Sequence, residues 1–455
     1  MAQYNSTHAL RTLSQHLSGE SHVFTDEDLY SNTLAEKFDQ HDELSSFRSR
    51  FHIPPSDPEN LSSTASVYMC GNSLGLQPRA TEKLLTDYLT AWRTLGVAGH
   101  FDDKHCSRPW AAIDENVTPL AAKLVGAHED EVAVCNTLTA NLHLLLVSFY
   151  LPEGKRNKIL LEDHAFCSDN HVVWSQVKFH GLDPEECLIR LRPRAGETYL
   201  RTEDIIEAIH REGDSIATVL MPGVQFYTGQ LLDIRAITQA AHSVGAVMGV
   251  DLAHAVGNVP LQLHAWGVDF AAWCHYKYCN SGPGAIAGLF VHRRHAYGAA
   301  DVTPEMVTRT IEPVDTLTTE NTLTIENEHD LRTKSIIRDR PRFAGWWGQP
   351  LKDRFAMDSI WRGEGGARGY QLSNPPVTSV LGVEAGLQEL CDAGIQRLRA
   401  KSEKLTAYLE ALVAAKIPEA VQLTPRDATQ RYDDGDGAAL CFLYVVTVHA
   451  FSPST

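Results

Sequence analysis

The chain has 455 residues, of which 43% are hydrophobic and 21% are charged, and its formal net charge is −17. These proportions are ordinary for a folded globular protein, whereas the acidic balance argues against a nucleic-acid partner, which would need a basic surface. The length exceeds the usual size of one domain, so we expect two or more.

The lack of a recognisable targeting pattern and the cysteine usage both indicate a cytoplasmic protein. No apolar run reaches the ~18 residues needed to span a bilayer. Residues 1–20 have neither the pattern of a secretory signal nor the composition of a transit peptide. The nine cysteines are scattered and form no Cys-x-x-Cys pair. We therefore expect reduced thiols, no membrane association and no metal site, and we interpret His292 and His295 as surface residues.

The first two thirds of the chain predict an arm followed by an α/β domain. Residues 1–66 are polar and helix-prone, with a break at Pro54 and Pro55, and we interpret them as a helical arm. Short apolar β-rich runs then alternate with helical patterns, and the predicted strands are 158–162, 215–221, 245–251, 270–274 and 285–291. Such strands predict a mostly parallel sheet sandwiched by helices, which binds ligands beyond the carboxyl ends of its strands.

The composition and the apolar periodicity of the sequence change twice in the last third of the chain. Residues 301–340 are rich in Thr, Glu, Asp and Arg without a clear apolar period, which predicts a partly mobile surface insertion. Helical patterns return at 378–393 and 401–415. We therefore predict a large domain over residues 67–370 and a smaller, incomplete C-terminal α/β domain over residues 371–455.

Lys277 lies just after an apolar strand and just before a glycine-rich turn. A lysine amine forms an imine with an aldehyde cofactor when its surroundings lower its pKa, and glycines let the backbone approach a ligand. The alternative is a lysine at a strand end that reaches solvent. Taken alone, the lysine favours that alternative.

Asp251 changes this balance, because it ends the predicted strand twenty-six residues before Lys277. The cofactor pyridoxal 5′-phosphate (PLP) needs a carboxylate at its pyridine nitrogen, so that the protonated ring accepts electrons. The alternative role for Asp251 is to cap a helix. His254, three residues further on, is placed to touch the ring, and its alternative is a partly buried histidine with satisfied hydrogen bonds.

A phosphate group needs helix N-terminal amides and hydroxyls. Thr139 stands at a predicted cap position before the apolar helical run 142–150, and Tyr276 is a second phosphate donor by position. Phe166 is a candidate for stacking on the cofactor ring, and Asp169 for contacting ring substituents. Ordinary capping and core packing remain open alternatives for these residues.

A set of ordered motifs makes this sequence resemble the kynureninases, which are PLP enzymes of the aspartate-aminotransferase fold. The motifs are GNSLGLQP (71–78), NTLTANLH (136–143), FYTGQ (226–230), DLAHAVGN (251–258), WGVDF (266–270), WCHYKY (273–278), GW (345–346) and SNPP (373–376). They span residues 71–376, and together they are far more specific than a lone pair of lysine and aspartate.

The resemblance implies a role for each candidate residue. For the cofactor, Lys277 forms the Schiff base, Asp251 pairs with the pyridinium, His254, Phe166 and Asp169 lie beside the ring, Leu138, Thr139 and Tyr276 contact the phosphate, and Trp346 and Asn374 line the site. For the substrate, the implied residues are Ser73, His100 and Asn374. In the family the equivalent of Trp346 reaches across from the other subunit, so the resemblance implies a homodimer with a shared active site.

The implied reaction is the hydrolytic cleavage of kynurenine or 3-hydroxykynurenine to alanine and an anthranilate, in tryptophan catabolism toward NAD. Family members carry a C-terminal Arg-Val-Ala-Pro-like segment, whose arginine binds the substrate carboxylate bidentately. This sequence has no such segment, so the alternative expectation is a truncated PLP-fold chain with impaired or no activity. A third hypothesis, a lyase resembling cysteine desulfurase, would need a mobile catalytic cysteine, whereas Cys274 and Cys279 flank Lys277 in a strand and a turn.

Overall fold

The computed structural model describes residues 31–295, 340–357, 359, 361–416, 421–422 and 446–447. Most of the predicted insertion, about half of the predicted arm and most of the C-terminal tail therefore lie outside the described residues. Within these ranges, no helix has the length and apolar character needed to cross a membrane. The proposed division into an arm and two domains stays a prediction.

Eleven strands occur in the described part of the chain. They are β1 (Phe51–His52), β2 (Gln77–Pro78), β3 (Val132–Val134), β4 (Lys158–Glu162), β5 (Leu188–Leu191), β6 (Ile216–Pro222), β7 (Val247–Asp251), β8 (Phe270–Trp273), β9 (Gly288–Val291), β10 (Val421–Gln422) and β11 (Val446–Thr447). Seven of them form one sheet in the order β3-β9-β8-β7-β6-β4-β5. Strands β8, β7, β6, β4 and β5 run parallel, while β9 and β3 are antiparallel to their neighbours. The predicted mostly parallel sheet is confirmed.

Twelve α-helices accompany these strands in the described ranges. They are α1 (Asn32–Gln40), α2 (Ala80–Leu95), α3 (Thr118–Val125), α4 (Leu138–Phe149), α5 (Cys167–Phe179), α6 (Pro184–Cys187), α7 (Thr202–Glu212), α8 (Ile234–Ser243), α9 (Leu263–Trp266), α10 (Leu351–Arg354), α11 (Val377–Ala393) and α12 (Ile395–Lys416). Helix α8 shows why they form: Asp233 caps its N-terminus by accepting from the Ala236 N–H at 2.8 Å, and Ile234, Ile237 and Ala241 bury one face.

The sheet buries both of its faces, because successive strand residues point to opposite sides. In β4, Leu160 joins one hydrophobic cluster, which includes the buried faces of α3, α8 and α11. Ile159 and Leu161 join the other cluster, against α4 and α5. The parallel strands therefore place their carboxyl ends, including Glu162 and Asp251, along one edge of a rigid and fully covered sheet.

The opposite edge of the sheet holds Asp269, just before β8. Its carboxylate accepts from His242 Nε2 at 2.8 Å, from Arg294 at 2.6 Å and from His295 Nε2 at 2.6 Å. His292 is also buried, with its Nδ1 3.7 Å from the Glu131 carboxylate. The expectation that His292 and His295 lie on the surface was therefore wrong, because their partners are distant in sequence and could not be read from local spacing.

Phe149, at the end of α4, contacts residues on both sides of the segment 296–339. The His295 ring packs edge-on against it at 5.1 Å between centroids, and the Arg340 guanidinium lies 5.0 Å from its centroid. Arg340 also donates to the Ser148 carbonyl at 3.0 Å. Residues 295 and 340 are therefore anchored at one place on the end of α4.

Candidate active site

Lys277 lies at the carboxyl edge of the sheet, four residues after β8 ends. Its Nζ is 2.7 Å from His254 Nε2. In the described part of the chain, no carboxylate forms an ion pair with it. The turn that contains Ser73 covers the lysine segment, since the Gly75 N–H donates to the Tyr276 carbonyl at 2.9 Å. A Cβ on Gly75 would lie 2.3 Å from the Lys277 carbonyl oxygen, so this close approach requires glycine.

Two aromatic rings lie near the lysine amine. Lys277 Nζ is 5.8 Å from the centroid of Phe166 and 5.9 Å from that of Tyr276. Phe166 is 44% exposed and is supported from the side by the Phe226 ring at 5.3 Å. A partly exposed aromatic ring near the lysine amine is suited to stacking against a planar ligand.

His254 is neutral in this environment. Burial and the charge of Lys277 lower the pKa of His254 to about 3. Because Nε2 accepts from the lysine ammonium, the neutral ring carries its proton on Nδ1. That Nδ1 is buried and has no hydrogen-bond partner among the described residues. A buried donor without an acceptor is costly, so this one points to a missing ligand.

Asp251 and Asp169 form a carboxyl pair beside the lysine. Both are buried, and their side chains share a hydrogen bond, which requires a proton on one of them. Burial raises the pKa of Asp251, and burial together with the Asp251 charge raises the pKa of Asp169 well above its ordinary value. Asp251 also accepts a hydrogen bond from the Ala253 N–H at 2.7 Å. The residues that follow Asp251 form turns and not a helix, so Asp251 does not cap a helix.

The N-termini of α4 and α5 meet through their hydroxyls. Thr139 was predicted at the cap of α4, but Thr137 is the N-cap and α4 begins at Leu138, so that assignment was wrong. The chain turns into the helix earlier because Asn136 adopts a left-handed φ of 52°. Thr139 Oγ1 lies 2.8 Å from Ser168 Oγ, in the first turn of α5. Ser168 was missed, and only its position near the start of α5 could have indicated it.

A cavity of about 630 Å³ adjoins the N-terminus of α4. Its lining includes Asn136, Thr137, residues 281–286 and residues 373–376. Asn374, predicted at the cofactor site, is therefore brought next to the N-terminus of α4 and to the glycine-rich turn that follows Lys277. Neighbouring amides, hydroxyls and glycines are the features that bind a phosphate.

Trp346 and His100 lie in a second group, which we call the Trp346 cluster: His100, Phe101, Trp346 and Phe355. Trp346 packs edge-on against Phe355 at 5.5 Å, Phe355 against Phe101 at 4.9 Å, and Phe101 lies 6.1 Å from the His100 ring. Phe101 is 61% exposed and Trp346 is 43% exposed. Their described contacts join these residues to one another and not to Lys277.

The arrangement around Lys277 fits PLP at three points. A lysine amine beside a neutral imidazole suits the aldehyde, and a carboxyl pair without a cation suits the pyridinium. The paired hydroxyls at two helix N-termini suit the phosphate. One bound PLP would therefore provide a hydrogen-bond partner for His254 Nδ1 and a positive charge for the carboxyl pair.

Comparisons with known proteins agree with this chemistry. The family profile described as Aminotransferase class-V matches residues 73–316. The kynureninase of Myxococcus xanthus is 45% identical over 403 residues, which cover 88% of this chain and 84% of that protein. The kynureninase of Mus musculus is 44% identical, over 83% of this chain and 74% of its own length.

Solved structures share the fold at low identity. A cysteine desulfurase from Thermococcus onnurineus NA1 aligns with a TM-score of 0.59 and 14% identity, covering 92% of this chain and 83% of that chain. A cysteine desulfurase from Escherichia coli aligns with a TM-score of 0.58 and 16% identity, covering 85% of this chain and 80% of that chain. Likeness at this identity concerns architecture alone, and it confirms the α/β fold.

Proposed function

Because the chain belongs to the kynureninase family of PLP-dependent enzymes, we propose that it hydrolyses the Cβ–Cγ bond of L-kynurenine or 3-hydroxy-L-kynurenine. The products are L-alanine and anthranilate or 3-hydroxyanthranilate, which places the reaction in tryptophan catabolism toward NAD. The observation that carries the proposal is the contact between Lys277 Nζ and His254 Nε2 at 2.7 Å. It lies at the same sheet edge as the Asp251–Asp169 pair.

Bound PLP supplies an electron sink that stabilises negative charge at the substrate Cα. Asp251 would hold the ring nitrogen of the cofactor and keep it protonated. Asp169 retains its own proton and donates a hydrogen bond to Asp251, so the negative charge of the pair stays on Asp251. Burial strengthens this interaction, because water does not screen it.

Lys277 would hold the cofactor through its Nζ. It would also act on the bound substrate as the base that removes the proton from Cα. His254 accepts a hydrogen bond from Nζ and orients it without adding a second positive charge. The oxygen of water forms a new bond to Cγ, and the Cβ–Cγ bond breaks with its electrons on the alanine fragment. One proton of the water goes to Cβ, the other is released as the new carboxyl group ionises, and Lys277 would return its proton to Cα.

The remaining site residues hold the ligands. We assign the phosphate to the Leu138 and Thr139 amides, the Thr139 and Ser168 hydroxyls and Tyr276. Phe166 stacks on the ring. Ser73, His100 and Asn374 are assigned to the substrate.

We further propose a cytoplasmic homodimer in which the Trp346 cluster completes the active site of the partner. The exposed rings of Phe101 and Trp346 support this, since a contiguous aromatic patch marks an interaction site. Sedimentation of the purified protein should give the mass of two chains. The variant Phe101→Glu should shift the mass toward one chain and reduce turnover, and a fully active monomer would exclude the shared site.

Turnover is tested with the PLP-loaded protein and each substrate. We expect fluorescence from the released anthranilate and an equal amount of alanine. A protein that binds PLP and releases neither product would refute the proposed activity. Cys274 and Cys279 are both buried, and burial raises the pKa of each thiol, which disfavours a desulfurase. Incubation with cysteine should therefore release no sulfide.

A further inference from the structure

Glu162 is a third buried carboxyl next to the Asp169–Asp251 pair, and we call these three residues the carboxyl cluster. It ends β4 and is 4% exposed. No cation in the described part of the chain forms an ion pair with it. The negative charge of Glu162 acts on Asp169, and that of Asp251 acts on Glu162. The protonation states of the three carboxyls are therefore linked.

Gln225 fixes the environment of Glu162. Its Oε1 accepts from the Tyr227 and Thr228 N–H groups, each at 2.7 Å, so the orientation of its amide is determined. Its Nε2 donates to the His164 carbonyl at 3.1 Å and to Glu162 Oε1 at 3.3 Å. Glu162 thus receives one neutral hydrogen bond, which leaves its other oxygen open to a proton.

A cavity of about 420 Å³ connects Glu162 with the surface. Exposed side chains of His164, Arg192 and Tyr227 line it. The other acids that line it are already paired: Asp163 with Arg192 at 3.2 Å, and Glu197 with Arg201. Tyr199 completes the titratable lining. Glu162 therefore lies between the cavity and the Asp169–Asp251 pair.

We propose that Glu162 is a positioning residue, which exchanges protons with water in this cavity and keeps the Asp169–Asp251 pair singly protonated. The inference rests on the proposed role of Asp251 at the cofactor nitrogen. In acid, a hydronium ion gives its proton to the Glu162 carboxylate and becomes water. In base, hydroxide removes that proton and becomes water, while the pair retains its own proton.

The electrostatics agree with this division of roles. Burial raises the pKa of Glu162 to about 7, which brings its titration to neutral pH. Once ionised, Glu162 further raises the pKa of Asp169, so the pair retains its proton as the pH rises. Lys277 opposes this, since its charge lowers the pKa of Asp169. An ionised Glu162 therefore helps the Asp169–Asp251 pair to keep its single proton at higher pH.

The test is pH-dependent infrared spectroscopy of protonated carboxyl groups in the PLP-loaded protein. The wild type should show a carboxyl band that titrates near pH 7. Glu162→Gln should lose this band, and the titration of the remaining pair should move down by about one pH unit. The matched control is Glu197→Gln, which lines the same cavity and should keep both titrations.

A second variant covers the case in which Glu162→Gln fails to fold. Gln225 lowers the pKa of Glu162 through its hydrogen bond, so Gln225→Met should move the band to higher pH. An unchanged band in Glu162→Gln, or an unmoved band in Gln225→Met, would overturn the proposal. The infrared titrations do not depend on turnover. An inactive protein that shows the titration would therefore refute only the proposed function. An active protein without the titration would refute only this inference.

Discussion

Two buried aspartates lie at opposite edges of the same sheet and have opposite chemistry. Asp269, 3% exposed, is surrounded by Arg294, His242 and His295, and Arg294 and the two histidines lower its pKa well below the ordinary value despite its burial. Asp251, 6% exposed, has another carboxyl as its partner, and burial raises its pKa. The chain itself compensates the first carboxylate, whereas the second has no ion-pair partner among the described residues and would gain one in the pyridinium of a bound cofactor.

This contrast separates structural charge from functional charge. A buried carboxylate that the chain itself compensates holds elements together, as Asp269 holds the end of α8 and residue 294. Carboxyls that lack such compensation raise the free energy of the empty site and are stabilised by the ligand. The following substitutions test the distinction, in order of their expected effect on turnover.

Lys277→Ala should have the largest effect, because it removes both the anchor of the cofactor and the base. We expect turnover to fall by about 10³-fold or more. Mass spectrometry after borohydride reduction should find no PLP attached to the chain. Lys178→Ala, an exposed lysine on α5, is the control and should retain both properties. Attached PLP in the Lys277 variant would show that another residue is the anchor.

Asp251→Asn should come next. It removes the negative charge at the ring nitrogen but leaves Lys277 in place, so we expect about 10²-fold slower turnover with the cofactor still attached. Steady-state kinetics and the same mass measurement check both parts. Asp163→Asn is the control, because this carboxylate at the same edge already pairs with Arg192. Turnover within about threefold of the wild type would contradict a role for Asp251 at the ring nitrogen.

Thr139→Val should weaken cofactor binding and leave chemistry nearly intact. The loss of one hydrogen bond to a charged phosphate should raise the PLP dissociation constant by about tenfold. Equilibrium dialysis measures this constant, and kcat at saturating PLP should change by less than about twofold. Thr202→Val, at the start of α7, is the matched control. A dissociation constant equal to that of the control would remove Thr139 from the phosphate site.

Asp269→Asn should have the smallest effect on turnover and a clear effect on stability. It breaks a buried charge network, which costs about 3 kcal/mol of unfolding free energy. Because the folded pKa of Asp269 lies below the ordinary 3.8, its stabilisation is fully present above that pH and is lost as pH falls through the folded pKa. Thermal unfolding should therefore separate the variant from the wild type at neutral pH and converge in strong acid. A large loss of kcat at neutral pH would contradict the purely structural role of Asp269 and thus its contrast with Asp251.

The sequence predicted what depends on local pattern. Four of the five parallel strands follow from apolar runs, whereas β5 was not predicted. Lys277 and Asp251 were singled out by their places at strand ends, and the structure brings both to one edge. Glu162 and Gln225 could not be related in advance, because their contact joins β4 to a loop sixty-three residues later. The start of α4 at Leu138 depends on backbone torsions, and the burial of His295 depends on tertiary partners; local spacing contains neither.

The contacts of Phe149 have a consequence for protein engineering. One aromatic ring contacts both His295 and Arg340, so the residues just before and just after positions 296–339 are held close to each other. Any redesign of α4 therefore has to keep this ring, because it fixes the chain after β9 and the start of residues 340–357, which carry Trp346, at one place.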